Sequence, residues 1–417
     1  MTRPRGPQSL ALTAYLAASR AIPLVAPALL KRRLKKGKEL PDRWREKLGQ
    51  ATAARPQGPL IWLHAVGLGE TLALRGLIAA LAERTPAHFL VTSTTRGSAE
   101  VLARNLPPRT IHQFLPLDAP GYLARFLDHW RPSLSIWAEQ DLWPGAVTAT
   151  DARGIPLALV NARMNADAYA RRARQRALFA DLFARFRLIG AQDDATARHL
   201  QALGAKGVRV MSSLKAAAPP LSADPQALAA AREALVGRSP VLLASSHHED
   251  EFAVLAAFRA LQPRPLLLIA PRDPARGAEV AARAGEHGLT ATRRSAGQGS
   301  SGDVWVVDSF GEMGLWYRLC PVTIIGGTFG PTEGHNPWEP GALGSAILHG
   351  PRIANFANDF AILHEHGAAR PVSAETLGAA LQTDLSAMAA RARLLAETAQ
   401  GSLGPLADEL LALRPLA

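Results

Sequence analysis

A single cysteine, Cys320, stands among the 417 residues, which excludes an intramolecular disulfide and any zinc or iron–sulfur site built from several thiolates. A reducing compartment is then the simpler setting, and Cys320 reads as inert core. Acidic side chains are also scarce, 35 Asp and Glu against 47 Lys and Arg, and the deficit is local. Residues 1–49 hold twelve basic side chains and three acidic ones, a net +9 of the chain's +12. The body is therefore nearly neutral and does not read as a nucleic-acid binder. An uninterrupted apolar run is missing too: Ser9–Leu30 is almost uncharged, but Arg20 sits near its middle and Pro23 and Pro27 break its second half. A mid-bilayer Arg costs roughly 2.5 to 3.5 kcal/mol, so a spanning helix is disfavoured. Short-period repeats are absent, and the one low-complexity tract, Ala296–Gly302, reads as a solvated loop.

What is present at the N-terminus is an apolar stretch followed by the basic cluster Lys31–Lys38, the pattern of a segment lying in a membrane interface. Each basic residue near an anionic surface contributes about 1 kcal/mol. The competing reading is a signal peptide, with Arg3 and Arg5 ahead of an apolar run that ends in small residues at Ala17–Ser19. An anchor is favoured because the body reads as nucleotide-using, which places the cluster on the cytoplasmic side.

Hydrophobic residues make up 48% of the chain, ample for a core, and the length suggests two domains with extra segments. Beyond Gly49, short apolar runs alternate with helical stretches: strands are expected at 60–65, 88–92, 111–115, 133–137, 156–160, 186–190 and 207–211. The run AAAPPLSA at Ala216–Ala223 reads as a linker. A second series follows at 241–244, 265–270, 289–292, 304–308, 322–325 and 346–349. The expected organisation is an N-terminal membrane-associating segment (1–49), a first Rossmann-like domain (50–215), the linker (216–223), a second Rossmann-like domain (224–385) and a C-terminal helical segment (386–417). Two doubly wound parallel α/β sheets bind ligands at the carboxyl ends of their strands, so the active site is expected in a cleft between them.

The first strand runs into His64–Thr71 (HAVGLGET). Gly67 and Gly69 begin a dinucleotide fingerprint, but its third glycine position holds Leu72, so NAD binding is weakly supported. The loop sets Glu70 at a helix N-terminus, either as a proton acceptor or merely as a cap. Pro271 and Arg272 follow a strand, where a guanidinium suits phosphate. Gly311, Glu312 and Met313 turn from strand to helix. Gly326–Gly327–Thr328 leads to Asn336, Pro337, Trp338 and Glu339, a specified helix start with amides for an anion and a carboxylate for ribose hydroxyls. Glu139 and Asp141 lie beyond one strand, Asn161–Ala162–Arg163 ends another, and Lys215 closes Ser212–Lys215 before the linker. The run His247–Glu251 resembles a metal cluster, but adjacent histidines diverge, so it reads as a helix entry with His247 alone facing the site. No Asp-x-Asp motif occurs, which points to Arg, Lys and helix dipoles rather than a metal for the leaving phosphate.

Taken in order, HAVGLGE, AEQDLWP, IPLALVNAR, SSLK, APRDPAR, DSFGEMGLWY and GGTFGPTEGHNPWEP resemble the motifs of the Kdo transferases of lipid A assembly, membrane-associated glycosyltransferases of the two-Rossmann GT-B fold. The resemblance runs from the basic segment to about Phe356. It implies CMP-Kdo as donor, a tetraacyl lipid A precursor (lipid IVA) as acceptor, no cofactor and no metal, at the cytoplasmic face of the inner membrane. It also implies Glu70 as proton acceptor in an inverting transfer, and Glu139 and Lys215 as transition-state stabilisers. Pro271, Arg272, Gly311, Glu312, Met313 and Asn336–Glu339 would then hold CMP. The chain departs from the family pattern at Gly67 (Ser in the family), Asp141 (Glu), Ser212–Ser213 (Gly-Asn), Asp273 (His) and Asn165 (Ser). The rivals are a GT-B enzyme using a UDP-sugar, either a transferase or an epimerase, and a noncatalytic peripheral membrane protein of the same fold.

Overall fold

The computed structural model describes residues 8–139 and 142–414, which form two compact units, one running to Ala218 and resuming at Gly401, the other Pro219–Gln400. In the first, seven strands make one parallel sheet: β1 (Leu60–His64), β2 (His88–Ser93), β3 (Thr110–Phe114), β4 (Leu134–Ala138), β5 (Leu157–Ala162), β6 (Phe186–Ala191) and β7 (Val208–Val210). Their order is β3-β2-β1-β4-β5-β6-β7, so the winding reverses between β1 and β4. The central strands β1 and β4 are buried at every position, as a sheet covered by helices on both faces requires. Trp62 of β1 packs edge-on against Phe126 at 5.1 Å and Trp137 at 5.5 Å, which anchors this core. Each such buried aromatic contributes about 1.5 to 3 kcal/mol.

The second unit repeats the plan with β8 (Pro240–Ser246), β9 (Leu266–Pro271), β10 (Ala291–Arg293), β11 (Val304–Val306), β12 (Val322–Ile325), β13 (Ala346–His349) and β14 (Ala369–Pro371). All pair in parallel in the order β10-β11-β9-β8-β12-β13-β14, with the reversal between β8 and β12. Alternate residues serve opposite cores: Val241, Leu243, Leu267 and Ile269 face one cluster, and Leu242, Ala244, Leu268 and Ala270 the other. Every strand expected from the sequence forms, with ends within two residues, and the α/β doubly wound class holds. Strand β14 is an addition: Ala-Arg-Pro is too short and too polar to register as an apolar run.

Two stretches differ from expectation. The C-terminal 386–417 is not one segment, because the helix Ser386–Gly401 lies mainly in the second unit while Leu403–Ala412 packs on the helix Leu68–Arg84 of the first. Ion pairs Arg84–Asp408 (2.9 Å) and Arg209–Glu409 fasten it. At the other end, helices Leu10–Ser19 and Ile22–Lys35 meet at 56°, and no single helix among the described residues is long and apolar enough to cross a membrane. The first helix is not a detached appendage. Leu12 is fully buried, the Tyr15 hydroxyl donates to Asp118 at 2.7 Å, and the Ser9 amide donates to Asp181 at 2.5 Å. Pro23 falls in the first turn of the second helix, where its missing N–H costs nothing. That helix buries Ala26 and Leu30 against Trp44, Leu48 and Tyr122 and leaves Leu24, Val25 and Leu29 exposed beside Lys31, Arg32 and Lys35.

Candidate active site

In the first unit, chemistry gathers at the reversal between β1 and β4. Glu70 is the third residue of the helix Leu68–Arg84, and its Oε2 accepts from the amides of Val66 and Gly67, both at 3.0 Å. It is thus a cap, as one sequence reading had it, yet only one oxygen is spent on that task. Its charge also acts on the carboxyl of Glu139, which follows β4 in a left-handed conformation (φ 64°). Lys215 Nζ stands 3.2 Å from Glu139 Oε1. Burial pushes the Glu139 carboxyl up to about 7, with Lys215 opposing the rise and Glu70 adding to it. Two carboxylates and one ammonium, far apart in sequence, therefore form one electrostatically coupled cluster. Asp141 lies outside the described residues.

Lys215 reaches this cluster by an indirect path. Strand β7 is at the sheet edge, and from it the chain folds back across the strand ends: Met211 N donates to Ala191 O of β6 at 2.8 Å, then Leu214 N donates to the Asn161 side chain of β5 at 2.9 Å. His64, at the head of the motif, is fully buried against Trp137, and that burial lowers its imidazole to about 3, so it stays neutral. A role missed from the sequence belongs to Asp118. It accepts from Gly145 N (2.7 Å) and Ala146 N (2.8 Å), capping the helix that follows Glu139, as well as from Tyr15. Nothing local in the sequence points to it, since its partners lie 27 and 103 residues away.

In the second unit, the expected donor residues lie at the ends of β9, β11 and β12. The key buried group is Asp250, fully buried, which accepts from Gly327 N (2.6 Å), Phe329 N (3.0 Å) and His247 N (2.9 Å) and so ties the loop after β12 to the helix after β8. Its place three residues into the helix is the capping-box position, the signal that marks it. Gly326 packs so closely that a Cβ would lie 2.4 Å from Ser245 O, and Gly327 has φ 71°, so both glycines are required. His247 faces His335 with Nε2 atoms 3.0 Å apart. Arg272 is exposed, and its charge acts on both His335 and Glu339. Glu339 is raised by burial, with Asn336 and Arg272 opposing.

Several expected contacts are redistributed. Trp338 is buried and its indole donates to Asp359 at 2.7 Å, so it serves the core rather than facing a ligand. The helix of five residues, Trp338–Ala342, starts one residue later than a cap at Asn336 with Pro337 in first position would have it: Pro337 occupies the cap position, and Asn336 Oδ1 accepts from Trp338 N at 3.1 Å. The Glu312 carboxylate is held bidentately by Arg294 at 2.7 and 2.8 Å, with that guanidinium lying 4.9 Å above Trp316. What Gly311–Met313 presents is then main chain, with Met313 packed partly into the core. The cluster His248, Glu251 and Glu279 brings ligand atoms within 4.8 Å, but Arg276 and Arg283 already neutralise both carboxylates and repel a cation.

Residues 42–218 match the family described as 3-deoxy-D-manno-octulosonic-acid transferase (Kdo transferase). The chain is 35% identical over 322 residues to the 3-deoxy-D-manno-octulosonic acid transferase of Bordetella pertussis, covering 73% of this chain and 74% of that one. It belongs to the Kdo transferase family. The relative from Rickettsia felis is 33% identical over 71% of this chain, but the match spans only 64% of that protein's own length. The glycosyltransferase from Rickettsia africae ESF-5 superposes with a TM-score of 0.57 at 11% identity, over 85% of this chain and 99% of the other, and it supports the GT-B fold of this chain. As a family member the chain is a glycosyltransferase, and the strand-end clusters of its two units are the candidate machinery.

Proposed function

We propose that the chain moves Kdo from CMP-Kdo to a primary hydroxyl of a lipid A precursor, lipid IVA, in the assembly of the lipopolysaccharide inner core. The observation that carries this is the Glu70–Glu139–Lys215 cluster at the carboxyl end of the first sheet. Glu70 takes the proton of the acceptor hydroxyl as its oxygen bonds to the anomeric carbon, and the bond from that carbon to the CMP phosphate oxygen breaks on the opposite face, inverting the centre. Glu139 and Lys215 balance charge in the transition state, with Lys215 suited to the sugar carboxylate or the departing phosphate. In the second unit Arg272, the Gly311–Met313 backbone, Asn336 and Glu339 hold CMP, and His335 and Asp250 order that loop. Incubation with CMP-Kdo and lipid IVA in EDTA tests this, with product mass as the readout. One or more added Kdo residues are expected. An unreacted acceptor, or calorimetric binding of UDP tighter than CMP, overturns the reading.

The acceptor's acyl chains keep it in a bilayer, and the exposed Leu10 (89%), Leu24 (83%), Val25 (64%) and Leu29 (54%) beside the basic cluster suit the cytoplasmic face of an inner membrane rich in anionic lipid. Replacing Leu24, Val25 and Leu29 together by Asp removes about 1 kcal/mol or more each from interfacial binding. Cosedimentation with phosphatidylglycerol vesicles is expected to weaken on the order of 100-fold. Unchanged cosedimentation contradicts the anchor. Point substitution is the sounder test than deleting residues 1–38, which also strips Leu12 and Tyr15 from the first unit.

A further inference from the structure

We propose that Asn161 is a positioning residue that holds Lys215 against Glu139, an inference that rests on reading the Glu70–Glu139–Lys215 cluster as catalytic. Strand β7, from which Lys215 descends, is three places from β4 in the sheet, so at about 4.8 Å per strand the chain must recross some 14 Å to deliver the ammonium. Two backbone amides mark the route, Met211 N on β6 and Leu214 N on β5. Of these two, the second is held by a side chain, and Lys215 is the next residue. Its own amide, donating to Ser213 Oγ at 3.2 Å, completes a tight turn over the strand end.

Position 161 makes two demands at once. Its backbone is left-handed (φ 54°) within a strand, where the β5–β6 register shifts between Leu159 and Ala162, and its side chain must present an acceptor to Leu214 N. Asparagine and aspartate are the residues that tolerate that conformation and carry a short acceptor arm. Asn161 is 3% exposed, and its carbonyl accepts from Gln192 Nε2 at 3.0 Å, so the conformation is fixed from both sides. A strained, buried residue outside the reacting groups, hydrogen-bonded to the residue that precedes Lys215, is the expected signature of preorganisation.

The groups that face Glu139 are Glu70 across the β1–β4 reversal, Lys215 from the recrossing segment, and Arg163 and Arg172, which line the same small cavity. Of these, Asn161 fixes Lys215, which favours the ionised carboxylate; loosening it leaves Glu139 protonated to higher pH. Asn161→Gly keeps the left-handed backbone and removes only the acceptor. Its kcat is expected to fall about 30-fold with the KM for CMP-Kdo within twofold, and the acid limb of the pH–rate profile is expected to move upward. Asn161→Asp, which retains the acceptor, is expected to stay within about threefold of wild type. In a Lys215→Ala background Asn161→Gly is expected to cost nothing further. Wild-type-like kcat in the Gly variant, a loss in the Asp variant as large as in the Gly variant, or additivity with Lys215→Ala each overturns the inference. If wild type itself transfers no Kdo, it is the proposed function that fails instead.

Discussion

Glu70→Gln is expected to lower the rate of Kdo transfer about 1000-fold, the upper half of what a positioned general base supplies. Glutamine is the informative replacement because its side-chain oxygen still accepts from the amides of Val66 and Gly67, so the start of the helix Leu68–Arg84 is preserved. Alanine would leave both amides without that partner and would add a stability loss of about 1 to 3 kcal/mol to the catalytic one. The measurement is single-turnover transfer from CMP-Kdo, with CMP affinity followed by calorimetry. CMP affinity should change less than twofold, since the residues assigned to CMP all lie in the second unit. Near-wild-type turnover would reduce Glu70 to the capping role that its two backbone contacts already describe.

The second large effect is expected at a residue assigned no contact with the substrate. Asp250→Ala removes a buried carboxylate that serves three amides, on Gly327, Phe329 and His247. Hydrogen bonds to a charged group contribute about 1.5 to 3 kcal/mol each, and partial rescue by water leaves a net loss of about 4 kcal/mol. The loop released in this way runs directly into His335 and Asn336, so CMP affinity is expected to fall by about 1000-fold. Thermal melting and CMP titration read the two effects separately. Asp250→Asn, with one acceptor oxygen instead of two, should fall between. Wild-type CMP affinity in a destabilised Asp250→Ala protein would show that the loop is ordered by other means.

The central strands are legible because each is a short apolar run bounded by turn residues, and burial on both faces leaves little else for such a run to be. Helix starts at Glu70 and at His247 were legible for the same local reason. The assembly of the clusters was not. Leu214 lies 53 residues from Asn161, and Gly327 lies 77 from Asp250. Sheet order, not spacing, brings these together, and no periodicity encodes which strands become neighbours. Glu70, Glu139 and Lys215 were named together only through the family resemblance, and the recrossing after β7 is the physical reason they meet. Trp338 is ambiguous in the sequence because a large aromatic at a helix start reads equally well as ligand contact or as core, and its indole hydrogen bond to Asp359 decides for core.

The return of the helix Leu403–Ala412 to the first unit has a practical bearing on dissecting the molecule. Because the first and last described helices settle on the same body, the second unit is topologically an insert between residues 218 and 401. A fragment stopped at the linker would leave one flank of the helix Leu68–Arg84 bare of its natural cover. Exchanging the second unit between relatives by recombination therefore calls for two crossovers, one at each side of the insert, rather than one.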